Sequence, residues 1–86
     1  MKKETIIKRI NHAIKEYIPN ESEKVKQYIF ELIKITFDGL EEEQEINERT
    51  NKPYTSQKNL DFAISITLDD TDTPFILEEA RRETNK

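Results

Sequence analysis

The side chains best able to do chemistry are an acidic run, one histidine and three serines. Carboxylates near the end of the chain could provide oxygen ligands for a hard cation: Asp69, Asp70, Asp72, Glu78 and Glu79. A calcium loop, however, needs alternating oxygen ligands and a glycine at its sharp turn, whereas Pro74 and Phe75 follow this run. Aspartate and threonine before a proline are also what a helix start requires. We therefore expect a helix cap here and no metal site.

The remaining candidate groups do not form a recognisable catalytic set. His12 lies on the polar face of the first predicted helix, and its spacing identifies no acid–base partner. Ser22, Ser56 and Ser65 stand in no nucleophile-elbow or phosphate-loop context. A chain without cysteine and with one histidine cannot build a zinc site from thiolates or from several imidazoles. We expect no catalytic residue and no cofactor, so the protein is not predicted to be an enzyme.

The elements that would position any site belong to one small domain. The chain has 86 residues, of which 34% are hydrophobic and 37% charged, so the core is thin and a dimer or a bound partner would help it. The lack of cysteine indicates a reducing cytosol, and the composition is typical of a small bacterial or phage protein. The N-terminus has no uninterrupted apolar segment, and no run is long enough to span a membrane, so we expect a cytoplasmic protein.

The segment 20–50 predicts one long helix against which the other elements pack. At about 100° per residue, one face carries the apolar band formed by Val25, Ile29, Leu32, Ile33, Thr36 and Leu40. Two aromatics lie just outside one edge of this band, Phe30 and Phe37, and two further side chains lie outside the other edge, Tyr28 and Ile35. Pro19 cannot continue a preceding helix, and Asn20 with Glu23 resembles a capping box.

The apolar band stops after Leu40, beside the only glycine in the chain. Gly39 either ends the helix in a left-handed cap or is an interior glycine that costs about 1 kcal/mol. Because the run from Glu41 to Glu45 has good helix propensity, we favour a helix that continues over about 21–48.

Three further elements follow from the pattern. An amphipathic helix over 3–18 has one isoleucine-rich face, and the short turn after it predicts an antiparallel hairpin with the long helix. Residues 51–56 read as a loop, since Pro53 disfavours the helical region for its neighbour. A last helix over about 74–83 begins at Pro74, capped by Asp72 or Thr73.

Residues 57–68 fit two structures. Strict alternation from Leu60 to Leu68 is a strand pattern, but no second good strand is present to pair with it. On a helix, apolar residues fall all round the axis, which suits the central helix of a small bundle. We therefore predict an all-α helical bundle. The alternative is an α+β fold in which residues 60–68 pair with Phe75–Leu77 or across a dimer.

Two short segments are similar to motifs of known families. Ser56–Asp61 resembles the Ser-Gln-x-Leu-Asp motif of small sporulation phosphatases, with one additional residue that turns the Leu-Asp pair by about 100° on a helix. The size, acidity and predicted helices resemble the immunity proteins of DNase colicins, but their Tyr-Tyr-Pro segment is matched only by Pro53-Tyr54 in reverse order. Neither similarity covers enough of the chain to assign it to a family.

The charge of the chain is unevenly distributed around a net value of −4. Basic residues dominate the first helix, including Lys2, Lys3, Lys8, Arg9 and Lys15, and acidic residues dominate the end of the long helix. Aromatic side chains beside a core stripe either pack against a third helix or contact a partner protein, since aromatic residues are enriched at protein interfaces. The predicted partner-binding residues are therefore Phe30, Phe37, Glu41, Glu42, Glu43, Glu45 and Glu48.

These features predict a small protein-interaction factor, of the inhibitor, immunity or antagonist kind, whose acidic surface binds a basic partner protein. The alternative is a dimeric regulatory protein that binds nucleic acid through the basic face of the first helix. The net negative charge of the chain argues against a high affinity for nucleic acid, because such affinity depends mainly on neutralising phosphates. A homodimer is compatible with either hypothesis.

Overall fold

The computed structural model describes residues 2–46 and 55–85, with side chains described for 2–43 and 57–85. This part of the chain forms four helices: α1 (Lys3–Tyr17), α2 (Glu23–Ile46), α3 (Thr55–Leu68) and α4 (Thr73–Thr84). It contains no strand. The predicted all-α bundle is confirmed, and the strand alternative for residues 60–68 is wrong. The loop predicted over 51–56 is wrong at its end, where Thr55 and Ser56 begin α3; its first four residues lie outside the described residues.

The long helix α2 is the centre of the bundle. It packs against α1, α3 and α4, whereas α1 and α4 each contact α2 and α3 but not one another. A 24-residue helix is about 36 Å long, which accounts for most of the 43 Å long axis of the molecule. Its buried residues recur at every fourth position and define the inner α2 face: Val25, Ile29, Ile33 and Phe37. Leu32, which belongs to the predicted band, is only partly buried.

The other helices complete the core with small and branched side chains. Buried residues outside α2 are Ile10, Ala13, Ile14, Ile18, Leu60, Ala63, Leu68 and Ala80. The one buried polar residue in the described part is Thr67, whose hydroxyl donates a hydrogen bond to the Ala63 carbonyl oxygen at 2.9 Å. Because a buried hydroxyl without a partner costs free energy, this bond makes threonine compatible with the core.

Helix α2 begins later than the sequence pattern indicated. The Val25 amide donates to the Ser22 hydroxyl oxygen at 3.2 Å, and the Lys26 amide donates to the Ser22 carbonyl at 2.9 Å. Ser22 is thus the N-cap, and the predicted capping box of Asn20 and Glu23 is wrong. The reason is the tight turn after α1, in which the Glu21 amide donates to the Ile18 carbonyl at 3.3 Å. That turn keeps Asn20 outside the helix.

Gly39 lies inside α2, which continues to Ile46, as the propensity of the glutamate run indicated. It is exposed, and a Cβ atom placed on it would meet nothing within 4 Å. An interior glycine destabilises a helix by about 0.5–1 kcal/mol relative to alanine. No neighbour within the described chain therefore requires a residue this small at position 39.

Helix α3 resolves the ambiguity of the alternating segment. Its buried positions are Leu60, Ala63, Thr67 and Leu68, which follow a helical rather than an alternating period. A helix satisfies its own backbone hydrogen bonds, so no partner strand is needed. Helix α3 contacts α1, α2 and α4, as expected of a central helix, but its apolar contacts are not all round, because the Phe62 side chain faces outward and is 54% exposed.

Candidate interaction surfaces of α2

The acidic residues of α2 differ in what surrounds them. Glu41 is partly buried and accepts a hydrogen bond from the Asn59 side-chain amide, so it links α2 to the beginning of α3. Glu42 and Glu43 are exposed. The side chain of Glu45 and all of Glu48 lie outside the described residues. Of the predicted acidic positions, Glu42 and Glu43 therefore face solvent, and Glu41 also serves the fold.

The two predicted aromatic anchors do not lie beside this acidic surface as exposed groups. Phe37 is part of the inner α2 face and is only 5% exposed, so it serves the core. Phe30 is partly buried, packs against the core and lines a groove between α1 and α2. It precedes Glu41 by a distance of about 16 Å along the helix axis.

An exposed apolar residue that was not chosen from the sequence does lie beside the acidic positions. Ile35 is 64% exposed. Spacings of three and four residues place it on one helix face with four other exposed residues. We call this set the outer α2 face: Glu31, Ile35, Asp38, Gly39 and Glu42. The signal in the sequence was the position of Ile35 outside the apolar band, on the edge opposite Phe30 and Phe37.

The charges of the outer α2 face are not arranged for helix stability. Asp38 and Glu42 are four residues apart, so their like charges repel each other across one turn. Lys34 offsets part of this repulsion, because its Nζ lies 3.5 Å from the Asp38 Oδ2. Glu31 accepts a hydrogen bond from the Gln27 amide at 3.1 Å. The face therefore presents three carboxylates around one aliphatic side chain and a glycine.

A second surface, of opposite charge, lies between α1 and the first half of α2. The groove between α1 and α2 has a volume of about 480 Å³, and its lining includes Lys8, His12, Lys15, Lys26 and Phe30. The acidic residue Glu23 also borders it. We call this surface the basic groove. Three lysines and one partly buried aromatic side chain thus line the same groove.

Two residues that were candidates for other roles have neighbours of their own. Arg9, part of the predicted basic face, donates to the Asp61 carboxylate and thereby joins α1 to α3. The His12 Nε2 lies 3.4 Å from the Glu16 Oε2, and both side chains are largely in solvent. Arg9 is thus engaged within the fold, whereas His12 borders the basic groove beside an acidic neighbour on its own helix.

The acidic run before α4 closes a turn. The Asp70 side chain accepts a hydrogen bond from the Thr71 amide at 2.7 Å, and the Thr73 hydroxyl accepts one from the Asp70 amide at 3.0 Å. Asp72 is the N-cap residue, although its side chain makes no capping hydrogen bond, and Pro74 lies in the first turn. Over the described ranges, no group of three or more metal-ligating side chains comes together.

One ion pair joins the turn before α2 to α4. Arg81 donates from Nε to Glu21 Oε1 at 3.2 Å and from a terminal nitrogen to the other carboxylate oxygen. This side-chain hydrogen bond is the main reason that the pKa of Glu21 lies below its ordinary value. Partial burial raises the pKa, and the positive charge of the guanidinium lowers it. A second ion pair lies on α4, where Arg82 and Glu78 are 3.0 Å apart. Both pairs are features of the fold.

Comparisons with known proteins give no information on function. The chain matches no protein-family model, no curated protein and no solved structure. Among the described residues, no helix has the length and apolar character needed to cross a membrane.

Proposed function

We propose that the protein is a small cytosolic interaction factor that binds a basic partner protein through the outer α2 face, as an inhibitor, immunity or antagonist factor. The observation that carries this proposal is the exposure of all five residues of that face, with Ile35 64% exposed among three carboxylates. The aliphatic side chain provides an apolar contact and the carboxylates attract positive charge, so this face is suited to binding a basic protein.

The arrangement matches the anatomy of a protein interface. An apolar contact surrounded by charged groups gives a desolvated centre with a polar rim. The carboxylates would steer a basic partner and disfavour acidic ones, which raises the association rate and the specificity. Glu43, exposed on the next turn of α2, extends the same negative surface.

The proposal is tested by recovering partners from the source cells with affinity-tagged protein. The double variant Glu31→Lys/Glu42→Lys reverses the charge of the face without touching the core. A matched control, Asp69→Lys/Glu79→Lys, makes the same charge change at two exposed positions elsewhere. We expect the wild type and the control to retain one stoichiometric, basic protein that the face variant loses. Recovery of no stoichiometric partner, or equal recovery by all three proteins, would count against the proposal.

The basic groove favours a second candidate function, in which the protein binds nucleic acid as a dimer. Its support is that Lys8, Lys15, Lys26 and Phe30 line one groove, since a basic groove with an aromatic side chain suits a single strand. The net charge of −4 weakens this candidate.

Filter binding of single-stranded DNA and RNA at low salt tests this second candidate. We expect Lys8→Gln/Lys26→Gln to weaken any binding and to flatten its salt dependence, because each lysine that neutralises a phosphate adds to the salt slope. Arg9→Gln is an uninformative variant, because Arg9 is paired with Asp61. Failure of the wild type to bind at low salt would remove the candidate.

A further inference from the structure

Gly39 is a residue that the fold itself does not explain. It is the only glycine of the chain, it lies inside α2, and a Cβ atom at this position would meet nothing within 4 Å. Alanine would favour the helix more, because glycine loses more backbone freedom on folding. No contact within the described residues accounts for the glycine, so we look for its role on the exposed side of α2.

We propose that Gly39 is the contact point for an amphipathic helix of the partner protein, with an apolar stripe flanked by lysine or arginine. The proposal rests on the proposed function and specifies the kind of partner that the outer α2 face takes. The exposed Ile35 is one turn before Gly39 on the same face, so an apolar projection is followed by a gap. Helices pack more closely where the side chains at their contact are small, and a helix crossing at Gly39 would pack against Ile35.

Charge decides between the possible occupants of this face. Glu31, Asp38 and Glu42 lie along one side of Ile35 and Gly39, and Lys34 lies beside Asp38. A second copy of this chain presenting the same face would bring these carboxylates against each other. A helix with basic flanks is complementary to them, and an amphipathic helix laid against an apolar strip is a common mode of recognition. The carboxylates extend over about 16 Å, roughly three helical turns.

Three synthetic peptides, each about 18 residues or roughly five helical turns long, test the proposal. The first has a leucine stripe flanked by lysines, the second has the same composition in scrambled order, and the third has the leucine stripe flanked by glutamates. Binding to the full chain is measured by fluorescence anisotropy at an ionic strength of about 0.15 M. We expect the first peptide to bind about tenfold more tightly than the second, and the third not to bind.

Variants of the full chain then locate the contact. Gly39→Leu fills the gap without changing the charge and should weaken binding of the first peptide about tenfold. Gly39→Ala should weaken it less while making the protein more stable, a combination that a purely structural glycine would not produce. Phe62→Ala is the matched control, because it removes a comparably exposed apolar side chain from α3 and should leave binding unchanged. Circular dichroism confirms that each variant is folded.

Each outcome bears on the proposal. It is overturned if no peptide binds, if the scrambled peptide binds equally well, or if Gly39→Leu binds as the wild type does. Sedimentation showing a dimer that Gly39→Leu dissociates would assign the face to a second copy and overturn the choice of partner. If the cellular partner is lost with Glu31→Lys/Glu42→Lys but retained with Gly39→Leu, the proposed function stands and the helix contact at Gly39 fails.

Discussion

Ile33 and Ile35 lie two residues apart on the same helix and have opposite environments. Ile33, on the inner α2 face, is 0% exposed, whereas Ile35, on the outer α2 face, is 64% exposed. Both have the same helix propensity, so propensity does not distinguish them. The inner face is covered by the other helices, and the outer face is left open with a glycine and three carboxylates. The inner face therefore contributes to stability, whereas the outer face is the surface that we propose for binding.

The largest expected effect separates the two isoleucines. Ile33→Ala leaves a cavity in the core and should lower the free energy of unfolding by about 2–5 kcal/mol. Ile35→Ala removes little buried area and should change it by less than about 0.5 kcal/mol. Urea titrations of the two variants measure the difference. Losses of similar size would show that the outer face is covered in solution, by a second copy or by another segment.

The start of α2 should matter next. Ser22→Ala removes the hydroxyl that accepts the Val25 amide and should cost about 1 kcal/mol, within the usual range for helix caps. Asn20→Ala is the natural control, because Asn20 lies in the preceding turn and should have a smaller effect. Thermal unfolding of both variants provides the comparison. A larger loss for Asn20→Ala would restore the capping box that the sequence pattern suggested.

A substitution on the outer face should act in the opposite direction. Gly39→Ala is expected to raise the free energy of unfolding by about 0.5–1 kcal/mol, because alanine favours the helix and meets no atom within 4 Å. Chemical denaturation measures the gain. A loss of stability would mean that the backbone at Gly39 requires glycine, and the contrast between the two faces would then be weaker.

Charge on the outer face should give a smaller gain. Glu42→Lys replaces a like-charge neighbour of Asp38 with an attractive pair of the favourable order, worth about 0.2–0.5 kcal/mol. The same substitution contributes to the loss of partner binding proposed above. A stabilised protein with weaker partner binding would strengthen the contrast between the faces. A destabilised protein would show that Glu42 contributes to the fold.

The smallest effect concerns pH and lies away from both faces. The pKa of Glu21 is lowered by Arg81, so the pair stabilises the folded state above the ordinary glutamate pKa of about 4.3. This contribution is lost as the pH falls through the lowered pKa. Arg81→Gln should therefore reduce the fall in stability between neutral and acidic pH, as measured by urea titrations at several pH values. Arg82→Gln, whose partner Glu78 is largely exposed, should alter it less.

Several features of the fold could be predicted because they depend on local pattern. The apolar spacing of α1 and α2 is helical over many turns, so the existence of both helices followed directly, as did the burial of Val25, Ile29 and Ile33. The cap of α2 could not be assigned in this way, because Asn20 and Ser22 are both good capping residues and the turn after Ile18 decides between them. In α3, alternating residues left two structures open until the packing partners were known.

The candidate surface was predictable only in part. Its acidic residues are evident in the sequence, but the choice of Phe30 and Phe37 over Ile35 depended on which edge of the α2 stripe the other helices cover. The structure places Phe37 in the core and Phe30 in the basic groove, and it leaves Ile35 exposed. Sequence spacing ranks positions around one helix axis, but it does not tell on which side a neighbouring helix lies.

Local physical chemistry was thus sufficient for the helical hairpin and the concentration of negative charge on α2. Periodicity, turn length and charge are properties of adjacent residues, so one chain is enough to read them. The helical state of α3 and the exposure of Ile35 beside Gly39 depended on contacts between residues far apart in sequence, and the role of Ser22 depended on the turn that follows Ile18. Burial is a property of the assembled helices, and only their packing decided which face of α2 remains open.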